Sequence, residues 1–82
     1  MQKWEYRQLR ATLDGTTAKW IYKHDGAQIH SNGVTQILNE WGSEGWELVG
    51  ISSHISTIHE EGRFYSLPYT DEYSYFFKRP KP

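Results

Sequence analysis

Residues 38–49 constrain the fold of this chain more than any other stretch, and they read Leu-Asn-Glu-Trp-Gly-Ser-Glu-Gly-Trp-Glu-Leu-Val. Upstream, Val34, Ile37, Leu38 and Trp41 fall at i, i+3, i+4 and i+7, which is one apolar stripe of an amphipathic helix. Thr35, Gln36, Asn39 and Glu40 take the wet side. Ser31-Asn32-Gly33 marks the helix start, with Ser31 or Asn32 as the expected cap, because their side-chain oxygens accept from the unpaired amides of a first turn. Gly42 is the expected terminator, since a residue without Cβ enters the left-handed region at no steric cost. Gly45 supplies a second bend, and Trp46, Leu48 and Val49 begin a strand at once. A helix of about nine residues does not persist alone in water, so it must lie on a sheet. Trp41 and Trp46, on either side of the corner, are expected to clamp it there.

The rest of the chain reads as strands and turns. Residues 3–13 are extended in character, with Trp4 and Tyr6 on one parity and Leu9, Ala11 and Leu13 on the other. Successive strand side chains point to opposite faces, so both faces of this strand carry apolar groups. Asp14-Gly15 and Asp25-Gly26 are turn signals. Residues 18–23 form a short β-prone run through Trp20, Ile21 and Tyr22, and 27–30 suits a short strand or a loop. A long strand is expected over 46–59, with Val49, Ile51 and Ile55 on one parity and Trp46, Leu48 and Ile58 on the other. Glu61-Gly62 reverses the chain into 63–67, residues 68–71 reverse it again at Pro68, and 72–79 is the last strand. In that strand Tyr73, Tyr75 and Phe77 oppose Phe76. The expected architecture is one α+β domain over 1–82, an antiparallel sheet of four to five strands with one amphipathic helix packed on one face.

Composition narrows the function. Without cysteine there is neither a disulfide framework nor a thiolate metal site. Nine Lys and Arg against ten Asp and Glu give a net charge of -1, which argues against general nucleic-acid binding. No apolar run approaches the roughly 18 residues that span a bilayer, and the N-terminal residues lack the apolar core of a secretory leader. The expectation is a cytoplasmic protein with no membrane partner. Aromatic residues make up 16% of the chain, and a three-turn helix covers only part of one sheet face. Contiguous exposed apolar surface marks interaction sites, so the helix-free face is expected to associate with a second copy, giving a homo-oligomer. The alternative is that 14–30 and 68–71 fold over that face.

Three blocks carry a resemblance: Lys3-Trp4-Glu5-Tyr6 near the start, Leu38-Asn39-Glu40 with Gly42-Ser43-Glu44-Gly45-Trp46-Glu47-Leu48-Val49, and Phe77-Lys78-Arg79-Pro80 at the end. In this order they resemble the short bacterial and phage proteins grouped as domain-of-unknown-function family 4177. The blocks cover about a third of the chain, and the central one is the most specific. The resemblance implies a β-α-β-β core and brings no catalytic residues. Trp41 departs from it, standing where a smaller aliphatic is usual, and 14–30 and 56–73 are expanded. Those expansions are where a function particular to this chain is expected.

Candidate chemistry is sparse. His24, His30, His54 and His59 show no metal-ligand spacing, and His54 and His59 have opposite strand parity, so no metal and no cofactor are expected. Ser52, Ser53 and Ser56 sit in no Gly-x-Ser-x-Gly elbow, and His59-Glu60-Glu61 reads as a solvated hairpin end. Glu44 and Glu47 flank Trp46, but Glu44 is expected to accept from amides in the glycine corner rather than act as an acid or base. At the helix start an anion would meet free amides, although a plain cap accounts for those residues. Aromatic and basic interleaving is the stronger signal, because rings stack on bases while cations pair with phosphates. Lys3, Arg7 and Arg10 would share one edge with Lys78, Arg79 and Lys81, among Trp4, Tyr6, Tyr75 and Phe77, if the first and last strands are neighbours. A second set, Trp20, Tyr22, Tyr65, Tyr69 and Tyr73, lies in or near the expansions, with Lys23 and Arg63 as anion partners. The candidate ligand-binding residues are therefore Arg7, Trp20, Tyr22, Lys23, Arg63, Tyr65, Tyr69 and Tyr73. Together these features suit a non-catalytic binding domain. A sharper form sequesters a small nucleotide-like anion between subunits, as a phage or bacterial regulator would; a purely structural interaction module and a small hydrolase are the alternatives.

Overall fold

The computed structural model describes residues 1–59 and 66–82, with side chains described up to residue 55 and from residue 70 onward. Five strands and one helix follow in the order β1 (Trp4–Leu13), β2 (Trp20–His24), β3 (Ala27–Ile29), α1 (Val34–Ser43), β4 (Glu47–His59) and β5 (Ser66–Pro80). They form an α+β fold in which every strand pair is antiparallel and the sheet order is β3-β2-β1-β5-β4. Asp25 and Gly26, with φ of 51° and 77°, make the two-residue turn between β2 and β3. Positive φ at both central positions matches the twist of flanking strands, which is why Asp-Gly is favoured there. Residues 14–30 thus extend the sheet instead of covering a face.

Registers assign the described strand side chains to two faces. Arg7, Leu9 and Ala11 pair with Phe77, Tyr75 and Tyr73, and Ala11 also pairs with Tyr22. This is the helix face. Its core is Leu9, Ile37, Trp41, Trp46 and Phe77, with Val34, Leu38, Tyr22 and Tyr75 packed around it. Trp4, Tyr6, Gln8 and Arg10 alternate onto the bare face, beside Phe76 and Lys78.

The helix ends differ from the sequence reading. The N-cap is Gly33, not Ser31 or Asn32, and no side chain caps it directly. Ser31 Oγ instead accepts from the Gly33 amide at 3.2 Å, and Gln36 Oε1 reaches back to accept from the Asn32 amide at 3.1 Å. Gly42 lies inside the helix, and Gly45, with φ of 93°, is the left-handed terminator. Trp46 N–H donates to the Trp41 carbonyl and Gly45 N–H to the Gly42 carbonyl, both at 3.0 Å. That is the Schellman arrangement, whose usual companion is an apolar contact between the residues here occupied by Trp41 and Trp46.

Two strand expectations are corrected. Leu48 pairs with Phe77 and Gly50 with Phe76, so Val49 is a bulge. The bulge puts Leu48 on the same face as Ile51, against their opposite parity. Residues 68–71 do not reverse the chain, because β5 runs unbroken from Ser66 to Pro80. Pro68 is tolerated because β1 ends opposite Glu72, leaving that side of β5 without a ladder to donate to. The Glu61-Gly62 reversal and residues 63–65 lie outside the described residues.

Beyond Glu72 the sheet narrows to β4 and β5 alone, which continue as a two-stranded arm to His59 and Ser66. The molecule measures 59 × 27 × 19 Å, with a radius of gyration of 16.1 Å. A compact domain of this length has about 12 Å. Among the described residues no helix is long and apolar enough to cross a membrane.

Candidate functional site

Aromatic and basic residues gather in two places, and they are built differently. At the glycine corner, the Arg7 guanidinium lies 4.7 Å from the Trp41 ring centre and 4.4 Å from that of Trp46. Arg79 also lies over Trp46, at 4.4 Å. Glu5 pairs with Arg79 Nε, and Glu44 Oε2 lies 3.7 Å from Arg7 Nη1. Arg79 Nη1–H donates to the Glu44 carbonyl at 3.0 Å. Glu44 therefore meets arginines, where acceptance from corner amides was expected. Trp41 closes the stack, edge-on to Phe77 at 4.8 Å and to His24 at 5.2 Å.

Every cation in this stack is already occupied. Each guanidinium over a ring is worth about 0.5–2 kcal/mol according to its desolvation. That gain offsets the Trp46 Nε1–H, which is buried without an acceptor among the described residues and costs about 1–3 kcal/mol. Arg7, expected to bind ligand, is packed here against Trp41, Trp46 and Glu44. Nor do the cations of β1 and β5 share one edge. The two strands are neighbours, but Arg7 and Arg79 face the helix, whereas Arg10 and Lys78 alternate onto the bare face. There Arg10 pairs with Glu72 at 2.8 Å and the Lys78 ammonium lies 4.4 Å from the Trp4 ring.

The second place is open. Past the N-terminal end of α1, Ala11, Trp20, Tyr22, Val34, Tyr73 and Tyr75 line a recess of about 340 Å³ on the helix face. Trp20 tilts against Tyr73 at 5.4 Å, and Tyr73 against Tyr75 at 6.2 Å. Trp20 and Tyr22 also wall a polar cleft of about 350 Å³, which continues past Gln28, His30, Ser31, Asn32 and Gln36. These volumes suit a small ring-bearing molecule, with apolar surface on one side and a few polar groups on the other. Burial raises the Tyr75 phenol above its ordinary pKa, and Tyr22 and Tyr73 nearby push the same way. It stays a neutral hydrogen-bonding group at physiological pH.

Of the eight residues expected from sequence, Trp20, Tyr22 and Tyr73 come together in this recess. Lys23 does not join them. It alternates with Tyr22 onto the bare face, opposite Arg10 and Gln28 in register, and lines a separate hollow with Gln8, Arg10 and Asp25. Tyr69 sits opposite Ser56 on the arm, and its side chain lies outside the described residues, as do Arg63 and Tyr65 entirely. Tyr75, absent from the expected set, follows Tyr73 by two positions on one strand, so period-2 alternation was the signal that pointed to it. The free-amide anion site at the helix start is partly closed, because Gln36 and Ser31 already accept from the Asn32 and Gly33 amides. Among the described residues no three His, Asp or Glu side chains converge as a metal site.

No protein family's model matches this chain, and no curated protein or solved structure matches it either. The likeness to family 4177 therefore rests on the three sequence blocks alone.

Proposed function

We propose that this chain is a non-catalytic binding domain that self-associates through its sheet and holds a planar, ring-bearing ligand in the aromatic recess. One observation carries the reading: Trp20 and Tyr22 of β2 and Tyr73 and Tyr75 of β5 turn onto the same face and leave a concave space between them. Aromatic walls stack on flat ligands of many kinds, at about 1–3 kcal/mol per stacked ring. The adjoining Ser31, Asn32 and Gln36 supply donors and acceptors at one end of the space. Exposed Trp4, Tyr6 and Phe76 on the bare face, and the uncovered β4 edge, support self-association.

The nucleotide-like form of this reading needs phosphate partners from outside the recess. Arg7 is taken by the tryptophans, and Lys23 lies across the sheet. A nucleoside or another uncharged ring compound fits the described lining better than a phosphate-rich one. The bacterial or phage character implied by the family resemblance suits a small regulatory binder.

A thermal-shift panel of nucleosides, nucleotides and aromatic metabolites tests the proposal. A true ligand at about 100 times its Kd should raise Tm by about 10 °C or more. The shift should vanish in Trp20→Leu and Tyr73→Leu and persist in Lys23→Ala. The proposal fails if no compound stabilises the protein, or if both recess variants keep the full shift.

A further inference from the structure

We infer that the exposed edge of β4 is completed by β4 of a second copy, related by a two-fold axis at Ser53. The inference rests on the proposed self-association and names the surface that carries it. Among the described residues both edges of the sheet are unpaired, but they are protected very differently. At one edge β3 has three residues, and brevity alone makes it a poor template. At the other, β4 has 13 residues, and from Leu48 to His59 it contains no Lys, Arg, Asp, Glu or Pro. Those are the residue types that normally blunt an exposed edge, so this one is left ready to pair. Its apolar residues are also uncovered: Leu48 is 38% exposed, Val49 49%, Ile51 56% and Ile55 60%.

The strand is self-complementary. Antiparallel pairing centred on Ser53 sets Ile51 against the partner's Ile55, with both on the helix face, and Ser52 against the partner's His54 on the bare face. Gly50 then meets the partner's Ser56. Leu48 to His59 carries no Lys, Arg, Asp or Glu, so with its histidines neutral two copies approach without like-charge repulsion. A one-residue slip would set Ile51 against His54 and turn the helix face of one copy toward the bare face of the other.

This pairing also gives the arm a neighbour. Beyond Glu72 the arm is a two-stranded ribbon, an arrangement only marginally stable in water. In the paired form the arm of each copy runs along the base of the other, where Leu48 and Val49 are exposed, and the two five-stranded sheets become one of ten. The bare face is the weaker candidate, because Lys78 covers part of Trp4 and the Arg10–Glu72 ion pair interrupts its apolar surface.

The chain has no cysteine, so single-cysteine variants report the interface directly. Ser53→Cys on the edge and Gln8→Cys on the bare face both replace exposed residues. Mild oxidation or a short bismaleimide should link Ser53→Cys into a covalent dimer, while Gln8→Cys stays unlinked. Sedimentation should show a dimer that Ile51→Lys weakens on the order of tenfold or more, with an unchanged circular dichroism spectrum. A dimer that links through Gln8→Cys and not Ser53→Cys overturns the edge and leaves self-association standing. A wild-type monomer at high micromolar concentration overturns both.

Discussion

The two ends of this sheet use the same kinds of residue to opposite effect. At the closed end, Trp41 and Trp46 are buried, and their rings are covered by Arg7 and Arg79, themselves paired with Glu44 and Glu5. At the open end, Trp20 and Tyr73 touch each other and leave a recess, and the strands run on as an arm with a bare edge. A cation above a ring is therefore no sign of a ligand site when an acid already holds it. An aromatic cluster whose residues leave space between them is the better candidate, even without a cation.

The largest way to break this contrast is Trp41→Ala. Removing a buried Trp typically costs about 3–5 kcal/mol, a large part of the roughly 4–12 kcal/mol that a domain of this size has in total. Ile51→Ala on the open edge should cost less than about 1 kcal/mol under dilute conditions, since it creates no cavity. Urea titrations of the two variants check the pair, and equal losses would remove the distinction between the ends. Next come the glycines of the corner. An added Cβ meets nothing within 4 Å at either Gly42 or Gly45, so only backbone conformation decides. Gly42→Ala, inside the helix, should gain about 0.5–1 kcal/mol. Gly45→Ala, at φ of 93°, should lose about 1–2 kcal/mol. Thermal melts of the two variants should therefore move in opposite directions.

The smallest effect is at His54, on the open edge. Its Nδ1 lies 2.8 Å from Asp71 Oδ1, and that hydrogen bond, with the charges of Asp71 and Glu72, raises its pKa. A raised folded-state pKa contributes stability that is complete below the ordinary value near 6.5 and is lost as pH rises through the folded value. Tm should fall slightly between pH 6 and pH 8, and His54→Gln should flatten that part of the profile. A rise over the same range would reverse the sign and contradict the pairing.

Much of the closed end was legible in the sequence, because it obeys a period. The stripe Val34, Ile37, Leu38 and Trp41 fixed the helix and its buried side, and alternation in β5 fixed Tyr73, Tyr75 and Phe77 on one face. The terminator was not legible from glycine chemistry, since Gly42 and Gly45 both fit. The five-residue spacing of Trp41 and Trp46, which matches the apolar contact across a Schellman turn, was the discriminating signal. Lys23 was misplaced although its alternation with Tyr22 already put it on the other face. The Val49 bulge has no local marker, because it arises from pairing with β5. Pro68 read as a reversal because a sequence does not show that the neighbouring strand has already ended.

Amide hydrogen exchange at two protein concentrations tests most directly whether the open edge is where this fold completes itself. At low micromolar concentration the outward amides between Gly50 and Ser56 should exchange quickly, while those of Leu9 and Phe77 in the closed end are protected. At high concentration the β4 amides should slow markedly and the closed end should stay as it was. Exchange along β4 that is the same at both concentrations would contradict the account.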